Sequence, residues 1–414
     1  MGTIKLAVFL AYKAIFKGNR WALLLILLVM SLSFANLLLT PSILLGVTDT
    51  MNRQRVETTY GHIVIDPLST DHYLTRSSEI VTSVAGVPGV AGVSSRLHSS
   101  AFFEYDWRSK DSPEDKGKSG SWPVVGIDPV REAGVTTIHR HLISGSYLEA
   151  GDRDKILLGV EIAGGVHAET APFQTLQGAT VGDTVRLTYP SGVQRDYEVK
   201  GIFKARDVVS ADHTAFVTRT EMVSVLGRSV FSDRASQVAV SLHDPDAENR
   251  VIREIGALGL PLQARGWKEY GGSLSGVVSS FDVVASLISG IGLVVAGIVM
   301  FIVIYINVIH NRRHIGILRA IGIGRGAIIA SYLTQALFYA VLGIIMGGLL
   351  FGFGIQGYFA RYPLDLSIGQ VSLLLQPSTV LQAVLGLLAA GIFAGLVPVL
   401  HITRQGIIHA IWGN

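Results

Sequence analysis

Residues 283–309 read VVASLISGIGLVVAGIVMFIVIYINVI and contain no charged side chain. About 20 predominantly apolar residues are enough to cross a bilayer, so this stretch is long enough to span one as a helix. Three further stretches, Trp21–Leu45, Ala327–Phe353 and Val380–Leu400, are equally free of charge. The apolar run of the first exceeds the roughly 7–15 residues of a signal-peptide core, and no small-x-small cleavage site clearly follows it. It therefore reads as a retained helix. Four membrane helices follow from these stretches alone.

Charge is distributed accordingly. Only 16% of the 414 residues are charged, against roughly a quarter in a water-soluble domain. Residues 283–414 hold one acid, Asp365, and six bases, while residues 1–48 hold four bases and no acid. The segment from Asp49 to Asp282 carries 24 bases and 30 acids, a formal charge of −6. Such a split means that the chain meets two solvents, lipid and water. Short basic loops stay in the cytoplasm. Lys5, Lys13, Lys17 and Arg20 precede the first helix, Arg312, Arg313, Arg319 and Arg325 lie between the second and third, and Arg404 follows the fourth. Both termini and the 310–326 loop are thus expected in the cytoplasm, with 49–282 outside it.

The expected organisation is an amphipathic helix over 1–20, with Leu6, Phe9, Leu10 and Phe16 interleaved with lysines, then a first membrane helix over 21–48. An extracytoplasmic α/β domain over 49–282 is inserted between membrane helices one and two. Helix two follows at 283–309, a coupling loop at 310–326, helix three at 327–356, an external loop at 357–379, helix four at 380–400 and a tail at 401–414. Within the large domain, His62–Pro67, Ser78–Val84 and Val90–Leu97 read as strand, helix and strand. Gln237–Leu242, the amphipathic Ala247–Leu258 and Leu262–Trp267 repeat that order. These are read as two β-α-β halves, 60–98 and 237–268, of one subdomain interrupted by 99–236. Inside the insertion, Asp183–Tyr189, the turn Pro190-Ser191-Gly192 and Val193–Phe203 form a hairpin signal. Asp106–Trp122 is polar and reads as a loop.

Several site chemistries are excluded or left without support. Lys116-Gly117-Lys118-Ser119 resembles the end of a phosphate-binding loop, which requires a glycine at position 112 and a preceding hydrophobic strand. Position 112 is serine and the preceding residues are polar, so no ATPase site is expected on this chain, and no cofactor. His139 and His141 share a strand face at most, and two histidines without a third ligand are weak evidence for a metal. The absence of cysteine excludes disulfides and metal–thiolate sites. No acid or base lies within helices two, three and four, as a proton relay or ion pathway would require. Nothing points to nucleic acid.

The 310–325 segment is more informative. His310-Asn-Arg-Arg-His-Ile-Gly-Ile-Leu-Arg-Ala-Ile-Gly-Ile-Gly-Arg325 combines bases with Ile315, Leu318 and Ile321 at i, i+3 and i+6. It suits a short amphipathic helix, either a basic anchor or a coupling element whose apolar face docks into a partner. In the membrane, Gly343-x-x-x-Gly347, Gly348-x-x-x-Gly352 and Gly391-x-x-x-Gly395 permit close approach of helices, within one subunit or between two.

Arg312-Arg313-His314-Ile315-Gly316-Ile317-Leu318-Arg319-Ala320-Ile321-Gly322 resembles the RRREIGILRALG element that follows the second membrane helix in MacB/LolC/FtsX-type ABC permeases, with His314 where an acid is common. The order of one helix, a large extracytoplasmic domain and three helices is similar as well. So are Thr58–Pro67 and Gly182-Asp-Thr-Val185, whereas Ile407–Ile411 lacks the proline of the family's usual tail. The resemblance implies a bacterial inner-membrane protein that pairs with a second identical or homologous permease subunit. It also implies a cytoplasmic ABC ATPase dimer, carrying ATP and Mg, docked on Arg312, Arg313, Ile315, Leu318, Arg319 and Ile321. In this type of machine, ATP-driven motion passes through helices one and two into the outer domain. Thr48–Val56 would continue helix one as a stalk, and Gly271–Gly276 would serve as a hinge ahead of helix two. An outer domain of this size matches the lipoprotein-releasing and efflux branches, so the implied cargo is a lipoprotein, lipid or other amphiphile, with a periplasmic carrier or adaptor as a further partner. The alternative is a non-transporting regulator of a cell-wall hydrolase or a sensor kinase.

Overall fold

The computed structural model describes residues 9–13, 20–68, 71–109, 118–165, 174–206, 211–310, 312–366 and 368–404. Of the expected N-terminal amphipathic helix, 9–13 is helical and the remainder up to residue 19 lies outside the described residues, as do Lys116-Gly117 and the tail at 407–411. The chain divides into two compact units. One is helical and comprises 1–48, 276–364 and 370–414; the other is α/β and comprises 49–275 with 365–369.

Helix α1 covers Arg20–Arg55 and passes directly into one π-helical turn, Val56–Tyr60. The α/β unit then begins with β1 (Ile63–Pro67), α2 (Ser77–Ala85) and β2 (Val90–Tyr105). Next come β3 (Lys118–Ile127), the single turn α3 (Pro129–Glu132), β4 (Leu142–Gly145), β5 (Lys155–Gly159), β6 (Thr184–Thr188), β7 (Gln194–Phe203), β8 (Ala215–Thr218) and α4 (Arg219–Leu226). The unit returns through β9 (Gln237–Leu242), α5 (Glu248–Gly256) and β10 (Leu262–Gly266).

The strands at the two ends of this segment pair in the order β10-β1-β9-β2, all neighbours antiparallel. Each β-α-β half therefore has its two strands separated by a strand of the other half, the split arrangement of ferredoxin-like folds. Ile63, Val64 and Ile65 are all fully buried, because α2 and α5 cover one face through Ile80, Val84, Val251 and Ile255. A strand enclosed on both faces reads as the continuous apolar run seen at 63–65. The two Asp-Pro stops differ in use. The Asp244 carboxylate accepts the Asp246 N–H at 3.0 Å and opens the turn into α5, whereas Asp66 accepts Gln237 Nε2 at 3.1 Å and α2 starts only at Ser77.

The 99–236 segment is not a separate module strung between the halves. Strand β2 runs unbroken through residues 98 and 99, and its second half belongs to another sheet. Leu97 to Tyr105 pair with β3, Phe102 to Tyr105 also pair with β6, and the ring continues through β7, β5 and β8 back to β3. The result is a closed six-stranded barrel filled by Leu97, Phe103, Trp122, Val185, Leu187, Tyr197 and Val217. Lys118 to Trp122, read from sequence as part of a loop, is strand, and Trp122 is buried.

The helical unit holds α1 with α6 (Gly272–His310), α7 (Arg312–Ala320), α8 (Arg325–Arg361, with a π-helical turn at Leu350–Ile355) and α9 (Pro377–Arg404). Of Gly271–Gly276, expected to be a hinge, Gly271 ends a 3₁₀ turn and 272–276 are the first helical residues of α6. A short hairpin, Leu364–Leu366 with Gly369–Val371, lies between α8 and α9. Four of these helices are long and apolar enough to cross a membrane, over Leu23–Tyr60, Val283–His310, Arg325–Arg361 and Pro377–Leu400. Their shared core includes Met30, Phe34, Met300, Ile304, Tyr332, Ala336, Tyr339 and Leu387. Leu287, Ile291, Val294, Ile298 and Ile302, at helical spacing on α6, are exposed instead. An apolar stripe of that length turned outward is the surface a lipid environment accepts.

Candidate coupling site

The basic element after α6 folds as α7, with an end specified by local chemistry. Gly322 adopts φ 94°, the left-handed conformation that glycine takes without a side-chain clash. Gly322 N–H donates to the Arg319 carbonyl at 3.1 Å, and Ile323 N–H donates to the Leu318 carbonyl at 3.0 Å. These two bonds are the Schellman closure of a helix, satisfying carbonyls that would otherwise lack partners.

That closure divides the expected apolar stripe. Ile315 is 3% exposed and packs into the core of the helical unit with Ile328 and Tyr332. Leu318 and Arg319 are half-buried, whereas Ile321, at the helix end, is 70% exposed. The face left open is formed instead by Arg313, Ile317 and Ile321, at i, i+4 and i+8, with Ile317 45% exposed. Ile315 holds α7 to its own unit. Ile317, not singled out from the sequence, belongs to the open face. Arg312 opens the helix.

The paired glycines fall into two groups. A Cβ at Gly343 would lie 2.5 Å from the Met30 Cβ, and one at Gly347 would lie 2.5 Å from the Ser31 carbonyl oxygen, so both close α8 against α1. A Cβ at Gly395 would lie 2.8 Å from Ala336 Cβ, and one at Gly391 would meet Met300 and Ala340 at 3.3–3.4 Å, closing α9 against α8 and α6. Gly348 is looser, with Phe34 at 3.9 Å, and Gly352 has nothing within 4 Å. Four of the six thus serve packing inside the subunit.

In the α/β unit, the end of α1 is tied into the sheet by side chains far apart in sequence. Thr58 Oγ1 donates to the Gln54 carbonyl at 2.7 Å and Gly61 N–H to the Val56 carbonyl at 3.0 Å, which stabilises the π-helical turn. The Glu57 carbonyl accepts from both Thr137 N–H, at 2.7 Å, and Thr137 Oγ1, at 3.2 Å. The Thr59 carbonyl accepts from Arg96 Nη1. Arg96, on β2, also grips Glu132 with two bonds, Nη2 to Oε1 at 2.6 Å and Nε to Oε2 at 3.2 Å, while Thr136 Oγ1 donates to Oε1 at 3.0 Å. Arg96 is 4% exposed and Glu132 fully buried. Burial alone would raise the Glu132 carboxyl, but the Arg96 charge and hydrogen bonds, together with Thr136, outweigh it and hold the group below the usual carboxylate range. A buried pair of this kind fixes one arrangement, since loosening it leaves a charge unpaired in a low-dielectric site.

His139 and His141 lie at and just after a single 3₁₀ turn, Ile138–Arg140, and His139 Nε2 accepts from Arg140 Nε at 3.2 Å. Among the described residues, no three His, Cys, Asp or Glu side chains gather as metal ligands would.

Compared with known families, residues 286–407 match the FtsX-like permease C-terminal model, and residues 23–258, more than half of the chain, match the MacB-like periplasmic core domain. This chain belongs to the MacB/FtsX-type permeases. It is 26% identical over 190 residues to a probable export ATP-binding/permease protein MacB of Pseudomonas entomophila strain L48, covering 43% of this chain. The match spans 28% of that protein's length. Among solved structures, the extracellular domain of the noncanonic ABC-type transporter YknZ from Gram-positive bacteria is 16% identical, with a TM-score of 0.33. It aligns over all of its own length and 50% of this chain. The periplasmic region of MacB from Actinobacillus actinomycetemcomitans is 13% identical with a TM-score of 0.35, over 98% of its length and 55% of this chain. As a permease of this type, the chain is a multi-pass membrane protein with its α/β domain inserted between the first and second membrane helices.

Proposed function

We propose that this permease subunit couples ATP hydrolysis by a separate cytoplasmic ABC ATPase dimer, which holds the ATP and Mg, to movement of its extracytoplasmic domain. Its cargo is a lipoprotein, a lipid or another amphiphile, exported or extracted from the bacterial inner membrane, with both termini cytoplasmic. A second identical or homologous permease subunit completes the machine, and a periplasmic carrier or adaptor receives the cargo. Supporting this reading is the outward face of α7, where Arg313, Ile317 and Ile321 join a cation to exposed apolar surface. An apolar anchor rimmed by charge is the usual composition of a protein interface. Supporting the mechanical part is the π-helical turn that follows α1 within the α/β unit, whose Thr59 and Glu57 carbonyls accept from Arg96 and Thr137.

The test is purification of the full chain from its native host in mild detergent, with mass spectrometry of what accompanies it. A stoichiometric ABC ATPase is expected with the native protein. Ile317→Glu and Arg313→Glu should each reduce its recovery at least tenfold, because a buried unpaired acid at an interface costs more than the roughly 1.4 kcal/mol that a factor of ten represents. ATPase recovery unchanged in both variants would remove α7 as the docking element. A co-purifying cell-wall hydrolase or sensor kinase, in place of a lipidated cargo or carrier, would move the function to regulation.

A further inference from the structure

The α/β unit receives the chain and releases it at neighbouring points. Strand β1 opens at Ile63, just after Tyr60 ends the π-helical turn, and β10 closes at Gly266, shortly before α6 begins at Gly272. The two strands are antiparallel neighbours with Ile63 opposite Gly266, so entry and exit lie at the same end of one ladder. Strand β10 is also the edge of its sheet, and among the described strands it pairs with β1 alone.

When two antiparallel strands are drawn apart from one end, their hydrogen-bonded pairs are loaded in succession and not together. The ladder then opens as a zipper does, and each backbone bond resists by only about twofold to tenfold in the opening equilibrium. An edge strand drawn from such an end is the first part of the sheet to fray.

Three contacts are gathered there. Trp267 N–H donates to the His62 carbonyl at 3.1 Å, one step past the Ile63–Gly266 pair. The Tyr270 ring lies 5.7 Å from that of Tyr60, so the last turn before the exit touches the last residue before the entry. The Tyr270 hydroxyl donates to Asp66 Oδ2, while Gln237 Nε2, from β9, donates to Oδ1 at 3.1 Å. Asp66 stands three positions beyond Ile63 on β1, opposite Gln263, so Tyr270 ties the exit turn to a point about 10 Å up the ladder. A hydrogen bond to a carboxylate is roughly twice as strong as one between neutral groups. Through Gln237 the same carboxylate is held to the next strand inward.

We propose that Tyr270 is a clasp that keeps β10 from peeling off β1 when the two ends of the α/β unit are drawn apart. With the clasp closed, a displacement delivered at Tyr60 or Gly271 passes to the sheet as a whole. With it open, the same displacement is spent on fraying β10. The clasp involves neither α7 nor an ATPase, so it and the proposed coupling can fail independently.

The test is hydrogen–deuterium exchange of the full chain in detergent, read by mass spectrometry over β10 and, as an internal reference, over β9. Exchange of a folded segment reports the equilibrium for opening it. Tyr270→Phe removes the hydroxyl and keeps the ring. It should speed exchange of the β10 amides about tenfold or more, the range of one hydrogen bond to a charged group, and leave β9 within about twofold of native. Tyr270→Ala, which also loses the contact with Tyr60, should speed β10 further. In an Asp66→Ala background, Tyr270→Phe should add nothing, because its partner is already gone. Exchange of β10 that Tyr270→Phe leaves unchanged overturns the proposal. So does equal acceleration of β10 and β9, which marks loosening of the whole sheet, and so does an undiminished Tyr270→Phe effect in the Asp66→Ala background.

Discussion

Replacing Glu132 by alanine leaves the Arg96 guanidinium buried without a counter-charge. Arg96 is 4% exposed, loses its bonds of 2.6 and 3.2 Å, and keeps the Thr59 carbonyl. Breaking a buried pair from one side costs about 3–5 kcal/mol, a large part of the roughly 5–15 kcal/mol that keeps a typical domain folded. In a unit of this size, each kcal/mol lowers the midpoint by about 2–4 °C, so Glu132→Ala should lower the transition of the α/β unit by roughly 6–20 °C. The assay is thermal unfolding of the full chain in detergent, followed by tryptophan fluorescence at pH 7.5. The double variant Arg96→Met with Glu132→Leu removes both charges and should recover much of the loss. The pH dependence follows from the lowered Glu132 carboxyl. A carboxylate held below its ordinary value, near 4.3, contributes fully above that value and loses its contribution as the pH falls through the folded-state value. The gap between the native protein and Glu132→Gln should therefore be constant above about pH 5 and shrink below about pH 4.3. A Glu132→Ala midpoint within about 2 °C of the native one would refute the reasoning.

Three further outcomes are expected. Gly347→Leu places a side chain against the Ser31 backbone oxygen, 2.5 Å from its Cβ, and should destabilise the helical unit by at least the 1–3 kcal/mol typical of overpacking, seen as lost monodisperse yield on size-exclusion chromatography. Gly352→Ala, with nothing within 4 Å of its Cβ, should elute as the native protein does. Inside the barrel, the Tyr189 and Tyr197 hydroxyls lie 3.0 Å apart and Tyr197 donates to Glu221 at 3.3 Å. Tyr197→Phe leaves both neighbours without that partner and should cost about 1–3 kcal/mol by the same unfolding assay.

The helical half of the fold was legible because its solvent writes it plainly: 283–309 has no charge, and the bases at 312–325 border it. The two β-α-β halves were legible through the buried runs at 63–65 and 238–240 and the amphipathic α5. The barrel was not, for two physical reasons. Lys118 to Ser121 show no apolar alternation because their strand carries few side chains into the barrel before Trp122, and closure rests on pairings such as β2 with β6 that lie about 80 residues apart. In α7 the apolar periodicity was visible, but its direction was not. Which isoleucine turns inward depends on where Gly322 ends the helix and on the core that receives Ile315. The Arg96–Glu132 pair left no trace at all, since Arg and Glu are ordinarily surface residues and local spacing does not single out this pair.

Strand β2 is a member of both sheets, and this restricts how the family can vary. Along it Leu97, Ala101 and Phe103 point into the barrel while Phe102 is exposed. One residue inserted near Arg96 would exchange inside for outside along the rest of the strand, expelling Phe103 and drawing Phe102 in. Lineages can therefore lengthen or shorten the connections around the barrel, between β2 and β3 or after β5, but the 16 residues of β2 must keep their count. Alignments of related permeases should show gaps crowding those connections and a gap-free column block from Val90 to Tyr105.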